Sequence, residues 1–286
     1  MMRVMRRTRD WTKERAVMAV VGAAMLLGAQ SAAAQSGACQ SSTTAGRIGI
    51  QIALSALATG MEYQSMSRGA AWRMADESAP MAIVADPSSH LHALGSYHLA
   101  RTGVHATCAD RASRVSAAWK SAGVALAIGT MKEVADGYYN GFSPIDLGVD
   151  AVGAGYAVAQ AYLPVLQKIT PSFSVSPRAF LGSRGPRGAL VDYAHQTIWL
   201  SATVHDLLPT HAAKAWPSPV RLSVGRRAFG GATPSEYVVG LDLDAARLPG
   251  NNPTWVHVKR ILHSVRLPGP ALVMRDNGTK SFGLYW

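Results

Sequence analysis

Apolar residues along this chain fall at two different periods, and the change between them sets the expected architecture. Residues 47–61 (RIGIQIALSALATGM) carry apolar side chains at helical spacing, and 62–82 is mixed and partly helical. Asp86 reads as an N-cap with Pro87 at the first helical position, opening a helix that ends near Gly103. A second helix is predicted over 114–136. Its centre, 121–131, bears no charge on any face between Lys120 and Lys132, which is the mark of a central, buried helix. Gly137 and Asn140-Gly141 end it. Ser143-Pro144-Ile145-Asp146 then supplies cap, first-turn proline and capping-box acid for a third helix. That helix runs through Gly148, Gly153 and Gly155 to residue 167, and small residues at this density let helices approach closely.

Past residue 169 the texture changes. Residues 170–188 are rich in Pro, Ser, Gly and Arg and read as a linker. Residues 191–208 (VDYAHQTIWLSATVHDLL) read as an amphipathic helix, and 255–265 looks helical as well. Strands are expected at 220–224 and 236–243, joined by the Gly230-Gly231 turn, and at 271–274 and 281–286 around Asn277-Gly278. The fold class expected is mainly α, a helical bundle core with a small antiparallel, β-containing (α+β) C-terminal part. The divisions are a signal peptide over 1–34, a lead-in and helix over 35–80, the helical core over 81–168, the linker over 169–188 and the C-terminal part over 189–286. Phe282, Leu284 and Trp286 alternate and end on an aromatic, as last strands of outer-membrane barrels do. Too few strand signals precede them for a closed barrel, so they read as an ordinary C-terminal strand.

None of the apolar runs is a clean span of about 20 residues. A bundle outside the bilayer is expected, with a bundle leaning on a membrane face as the alternative. Hydrophobic residues make up 48% of the chain against 16% charged, well below what a polytopic membrane protein carries. The N-terminus is a targeting signal. A basic region ends at Arg15, an apolar stretch runs from Ala16 to Ala29, and Ala32-Ala33-Ala34 offers small residues before Gln35. This is a secretory signal peptide, with an uncleaved anchor as the alternative. The formal charge of +11 includes +4 from the first 34 residues, leaving 22 basic and 15 acidic residues, or +7, for the remainder. A basic exported protein suits an anionic membrane surface or another envelope polyanion. Nucleic acid is not expected, because no basic run with interleaved aromatics and no such motif occurs. Cys39 and Cys108 fit a disulfide in an oxidising compartment, or free thiols, and Cys39 could instead carry a lipid.

Three stretches concentrate ionisable residues in this apolar region: Asp86 to His90, Lys132-Glu133 to Asp136, and Ser143 through Asp146 to Asp150. Burying such groups costs several kcal/mol unless they are paired or neutralised. Asp86 and Asp146 are accounted for as helix caps, and Lys132 can pair with Asp136 at i,i+4. His90, Glu133, Asp136 and Asp150 lack a local explanation, and His90, Glu133 and Asp136 are the candidate catalytic set. Three readings stay open: a divalent-metal site, a general acid/base pair of His90 with Glu133, and a structural polar network that also takes in Asp86, Lys132, Asp146 and Asp150. The Glu133/Asp136 spacing is not the Glu-x-x-His of di-iron bundles, which weakens the metal reading, and the sequence names no cofactor. Nucleophile-elbow, P-loop, dinucleotide, His-Glu-x-x-His and Cys-x-x-Cys motifs are missing, which excludes those enzyme classes.

Asp86-x-x-x-His90, Lys132-Glu133-x-x-Asp136 and Ser143-x-x-Asp146 before a Gly/Ala-rich helix together resemble an uncharacterised bacterial family of predicted periplasmic lipoproteins. The order of motifs is also similar, more loosely, to that of VanZ-like membrane proteins. Trp199-Leu-Ser, Ser223-Val-Gly225, Leu267-Pro-Gly-Pro-Ala271 and Phe282-Gly-Leu-Tyr-Trp286 fit the periplasmic family, so the resemblance spans 80–286 with specific motifs only between 86 and 155. The chain departs from the pattern at Pro87, where a lysine is usual, and at Asp150, where asparagine is common. The family has no established activity. The resemblance implies compartment and fold, and leaves two functions: a non-enzymatic periplasmic or membrane-associated structural protein, or a hydrolase or transferase on an envelope lipid or glycan through His90 and Glu133.

Overall fold

The computed structural model describes residues 71–77, 87–104, 111–138, 140–181, 195–227, 235–252, 254–255, 258–259, 262 and 266–286. The signal peptide, the 47–61 helix, Cys39, Cys108, Asp86 and the Gly230-Gly231 turn lie outside the described residues. Three helices pack against one another: α1 (Pro87–Val104), α2 (Arg111–Asp136) and α3 (Pro144–Tyr162). Their shared core is built from Tyr97, Ala100, Ala118, Ala122, Ala125, Ala154, Ala157, Val158 and Ala161. Small side chains dominate this list, so the backbones come close. A Cβ on Gly153 of α3 would lie 1.9 Å from the carbonyl oxygen of Ala93 on α1, so only glycine fits there.

The uncharged centre of α2 is not buried all round, contrary to the sequence pattern. One face, carrying Ala118, Ala122, Ala125, Gly129 and Glu133, points inward, while Trp119, Met131 and Val134 are exposed. The outward positions include Gly123 and Ala127, which cost little to leave in water. Behind α3, a 3-10 turn (Pro164–Lys168) leads into the first strand. The fully buried Gln160 fixes that junction. Its Oε1 accepts from Tyr97 Oη at 3.1 Å and Arg101 Nη1 at 2.6 Å, and its Nε2 donates to the carbonyls of Leu166 and Ile169 at 2.9 and 2.8 Å.

The rest of the described chain is organised by one antiparallel sheet, in sequence order β1 (Ile169–Val175), β2 (Gln196–Ala202), β3 (Val220–Arg227), β4 (Glu236–Leu243), β5 (Gly269–Arg275) and β6 (Lys280–Tyr285). A short helix α4 (Pro177–Leu181) follows β1, and α5 (Val204–Leu207) and α6 (Thr210–Ala213) bridge β2 and β3. Half of the described residues are helical and 28% lie in strands, with only about three helices of seven residues or more. The expectation of a mainly α bundle protein is therefore overturned: the sheet is not a small appendage but the second half of an α+β fold.

Two segments account for the error. Residues 169–175 (ITPSFSV) read as linker because of Pro171 and its serines, yet they form β1, an edge strand where proline's missing donor can be tolerated. Residues 196–202 read as helix, yet Thr197, Trp199 and Ser201 turn inward on β2 and Leu200 outward. Both misreadings have one cause, which is that the covered face of the sheet is unusually polar around a small apolar cluster of Trp199, Val238, Ala271 and Val273. The covered face carries Thr170, Ser172 and Ser174 of β1, Ser201 of β2, Arg221 and Ser223 of β3, and Glu236 and Asp242 of β4, all buried. On the other face, in register, Leu200 pairs with Val224, Val224 with Val239, Val239 with Leu272 and Leu272 with Phe282.

The polar interior is largely paired internally, although Ser172 Oγ, Arg221 Nε and Nη1 and Arg266 Nε have no hydrogen-bond partner among the described residues. Arg221 Nη2 donates to Asp242 Oδ2 at 2.6 Å, with both side chains fully buried, and Ser201 Oγ donates to the same carboxylate oxygen at 3.0 Å. Arg266 lays its guanidinium 3.7 Å from the Trp199 ring centre and donates to the Leu241 and Tyr285 carbonyls at 2.9 and 3.1 Å. Tyr285 donates its hydroxyl to Glu236, which also receives Arg275 Nε at 2.8 Å.

Candidate functional site

Ser89, His92 and Ser96 recur at spacings of three and four residues, so they share one face of α1. That face meets Glu133 of α2 and Asp146 and Asp150 of α3. Close packing makes the meeting possible: a Cβ on Gly129 of α2 would lie 2.3 Å from Asp150 Oδ2, so the carboxylate occupies the space a side chain would fill. Beside it, Gly153 brings α1 against α3 one residue from His92.

His92 stands at the centre. Its Nδ1 lies 3.4 Å from Asp150 Oδ2, and its Nε2 lies 3.6 Å from Glu133 Oε1 and 3.9 Å from Asp146 Oδ2. Lys132 brings its Nζ to 3.2 Å from the same Nε2, 3.5 Å from Glu133 Oε1 and 2.6 Å from Asp136 Oδ2. Four carboxylates therefore face one ammonium and one imidazole. Three of these acids are also held from behind. Asp150 Oδ1 accepts from Ser96 Oγ at 2.7 Å, Asp146 Oδ1 from Ser89 Oγ at 2.6 Å, and Glu133 Oε2 from the Ser143 amide at 3.1 Å.

Ser143 caps α3 as its sequence predicts, accepting from the Asp146 amide at 2.9 Å. The reciprocal half of the capping box is different. The Ser143 amide goes to Glu133, and the Asp146 carboxylate is released toward His92 and Ser89. Residues 71–77 lie across the α2–α3 turn, where Met74 bridges Phe142 and Glu77 accepts from Ser143 Oγ. The Trp72 ring takes the space beside Gly137 that a Cβ would need.

Glu133 is 1% exposed, and its Oε1 accepts no hydrogen bond. Burial pushes its pKa above the ordinary 4.5 against the opposing pull of Lys132, the Ser143 amide and His92. Burial pulls the His92 imidazole down, but the Asp150 hydrogen bond and the charges of Asp146 and Asp150 together outweigh burial and Lys132, leaving it above 6.5. A raised carboxylate beside a raised imidazole can share a proton, and the same atoms can hold a cation.

Among the described residues, His92, Glu133 and Asp146 offer ligand atoms that all lie within 4.8 Å of one another. Glu133, Asp146, Asp150, Lys132 and Asp136 are thus brought together. His90 is not in this group: two residues along α1 is a rotation of about 200°, which sets it on a different face of the helix from His92. The serines at 89 and 96 were the available signal for His92, since they put hydrogen-bonding groups one turn before and after it. No family model, no curated protein and no solved structure matches this chain.

Proposed function

We propose that this chain is an exported, membrane-associated protein of the bacterial envelope that beds the outer face of its sheet in an anionic lipid surface. One observation carries this reading: the uncovered face of the sheet is a continuous run of large hydrophobics, while many polar side chains lie on the covered face beside the Trp199, Val238, Ala271 and Val273 cluster. Leu200, Leu222, Val224, Val239, Leu241, Leu243, Leu272, Phe282 and Leu284 are all exposed large hydrophobics, with Phe282 at 78%. A soluble sheet turns polar side chains to water on its uncovered face. Arg226 and Lys280 border the face at one end, where Arg226 sits 5.8 Å from the Tyr237 ring, and Trp286 follows the face at the other. Basic and aromatic residues at such a border suit anionic headgroups. Strands of six to eight residues are shorter than the roughly 9–11 of a spanning strand, so the face beds in one leaflet. The signal-peptide pattern and the resemblance to periplasmic lipoproteins support the compartment.

Vesicle flotation tests this reading. The protein should float with phosphatidylglycerol-containing vesicles and less with phosphatidylcholine alone, and Phe282→Asp/Leu284→Asp should lower partitioning at least tenfold. Sedimentation at every lipid composition, with the same substitutions splitting a dimer, would assign the face to a second copy instead.

A second reading is favoured by Glu133, whose buried, unbonded Oε1 faces His92. In it the pair works as general acid and base in a hydrolase or transferase on an envelope lipid or glycan. Folded His92→Ala and Glu133→Gln proteins that no longer complement a deletion strain would support it. Full complementation by both would remove it.

A further inference from the structure

We infer that His92 Nε2, Glu133 Oε1 and Asp146 Oδ2 form a binding site for one divalent first-row metal ion, zinc foremost. This goes beyond membrane association and uses a different part of the molecule. The spacing comes first. Nε2 lies 3.6 Å from Oε1 and 3.9 Å from Oδ2, and the three atoms fit within 4.8 Å. A tetrahedral zinc with nitrogen and oxygen ligands sets them about 3.4 Å apart, so small side-chain shifts complete the site.

The second observation is directional. Each ligand's other polar atom is already engaged: His92 Nδ1 with Asp150, Glu133 Oε2 with the Ser143 amide, and Asp146 Oδ1 with Ser89. Asp150 is itself fixed by Ser96 at 2.7 Å. This is the arrangement of a metal-ligating histidine whose second nitrogen donates to a carboxylate, which sets the tautomer and leaves Nε2 as the ligand. The third observation is the orphan. Glu133 Oε1 is buried without a hydrogen bond and is aimed at His92, and an atom in that condition calls for a partner.

A cation already stands near this point. Lys132 Nζ lies 3.2 Å from Nε2 and 3.5 Å from Oε1, so the ammonium marks where positive charge is wanted. Lys132 is 36% exposed and bonded to Asp136, which gives it a place to stay when a metal enters. One imidazole and two carboxylates form a mixed donor set suited to zinc, and three protein ligands leave a fourth position for water or substrate.

The test uses zinc chloride titrated into chelator-treated full-length protein carrying Cys39→Ser/Cys108→Ser, followed by calorimetry and thermal melting. One zinc per chain and a raised melting temperature are expected. His92→Ala, Glu133→Gln and Asp146→Asn should each weaken binding at least tenfold, and Asp150→Asn 10- to 100-fold as an outer-shell partner. Lys132→Met keeps the stem, removes the competing charge and should tighten binding; it also covers the case in which a ligand variant fails to fold. Absence of saturable zinc uptake in the folded parent overturns the site. So does uptake that His92→Ala, Glu133→Gln and Asp146→Asn leave unchanged. Neither result bears on vesicle binding, so the two proposals fail separately.

Discussion

The backbone amide of Ser143 donates to Glu133 Oε2 across the α2–α3 turn at 3.1 Å, and this bond decides what Asp146 can do. In an ordinary capping box the acid three residues into the helix returns to the cap amide. Here Glu133 takes that amide, and Asp146 turns to Ser89 and His92 instead. A helix start and a polar cluster are thus one structure.

Ser143→Ala should therefore cost about 1 kcal/mol through the lost side-chain cap, leaving the amide bond to Glu133 in place. Glu133→Ala should cost more, about 2–4 kcal/mol, because it leaves a cavity and a buried donor without its acceptor. Urea titrations that rank the two in the opposite order would show that Glu133 does not hold the turn.

Glycine substitutions should separate close packing from open surface. Gly153→Ala places a Cβ 1.9 Å from the Ala93 carbonyl and should destabilise by about 1–3 kcal/mol. Gly129→Ala forces Asp150 aside and should also lower zinc affinity. Gly95 and Gly123 are exposed helical positions with nothing near an added Cβ, so alanine there should stabilise by about 0.5–1 kcal/mol. Equal effects at all four sites in thermal melts would contradict the helix packing described.

Asp242→Asn should be among the most damaging changes in the sheet. It strips the fully buried Arg221 guanidinium of its carboxylate, and breaking such a pair from one side costs about 3–5 kcal/mol. Replacing both together, with Arg221→Met and Asp242→Leu, should recover most of that loss. A double-mutant cycle in urea measures it, and additive losses would rule out the coupling.

Alkaline pH should weaken the sheet through Tyr285. Burial, opposed by the Arg227 guanidinium and reinforced by Glu236, holds its phenol pKa well above the ordinary 10. Above pH 10 the unfolded chain releases this proton while the folded chain keeps it, so the folded state binds more protons and stability falls as pH rises. The contribution is complete below pH 10. Burial pushes Tyr97 and Tyr156 the same way, so Tyr285→Phe should remove part of the slope. Stability curves between pH 9 and 11 that coincide for parent and variant would refute the assignment.

Local chemistry by itself determined where α2 ends and α3 begins. Ser143, Pro144 and the glycines after α2 act on their own neighbours, and Lys132 reaches Asp136 within a single turn. The carboxylates of Glu133 and Asp150 also stood out, because apolar surroundings leave an acid without local cause. Only the tertiary structure chose between His90 and His92, since that choice depends on how α1 is rotated against α2 and α3, and Gly129 and Gly153 set this approach. Strands β3 to β6 were legible from alternation and turns, but only pairing across strands revealed β1 and β2 and so the size of the sheet. The serines of β1 look like loop until pairing with β2 buries them, and leucines look like core until the register puts them outside. Alternation gives a strand its two faces, but which face is covered is fixed by what packs against it.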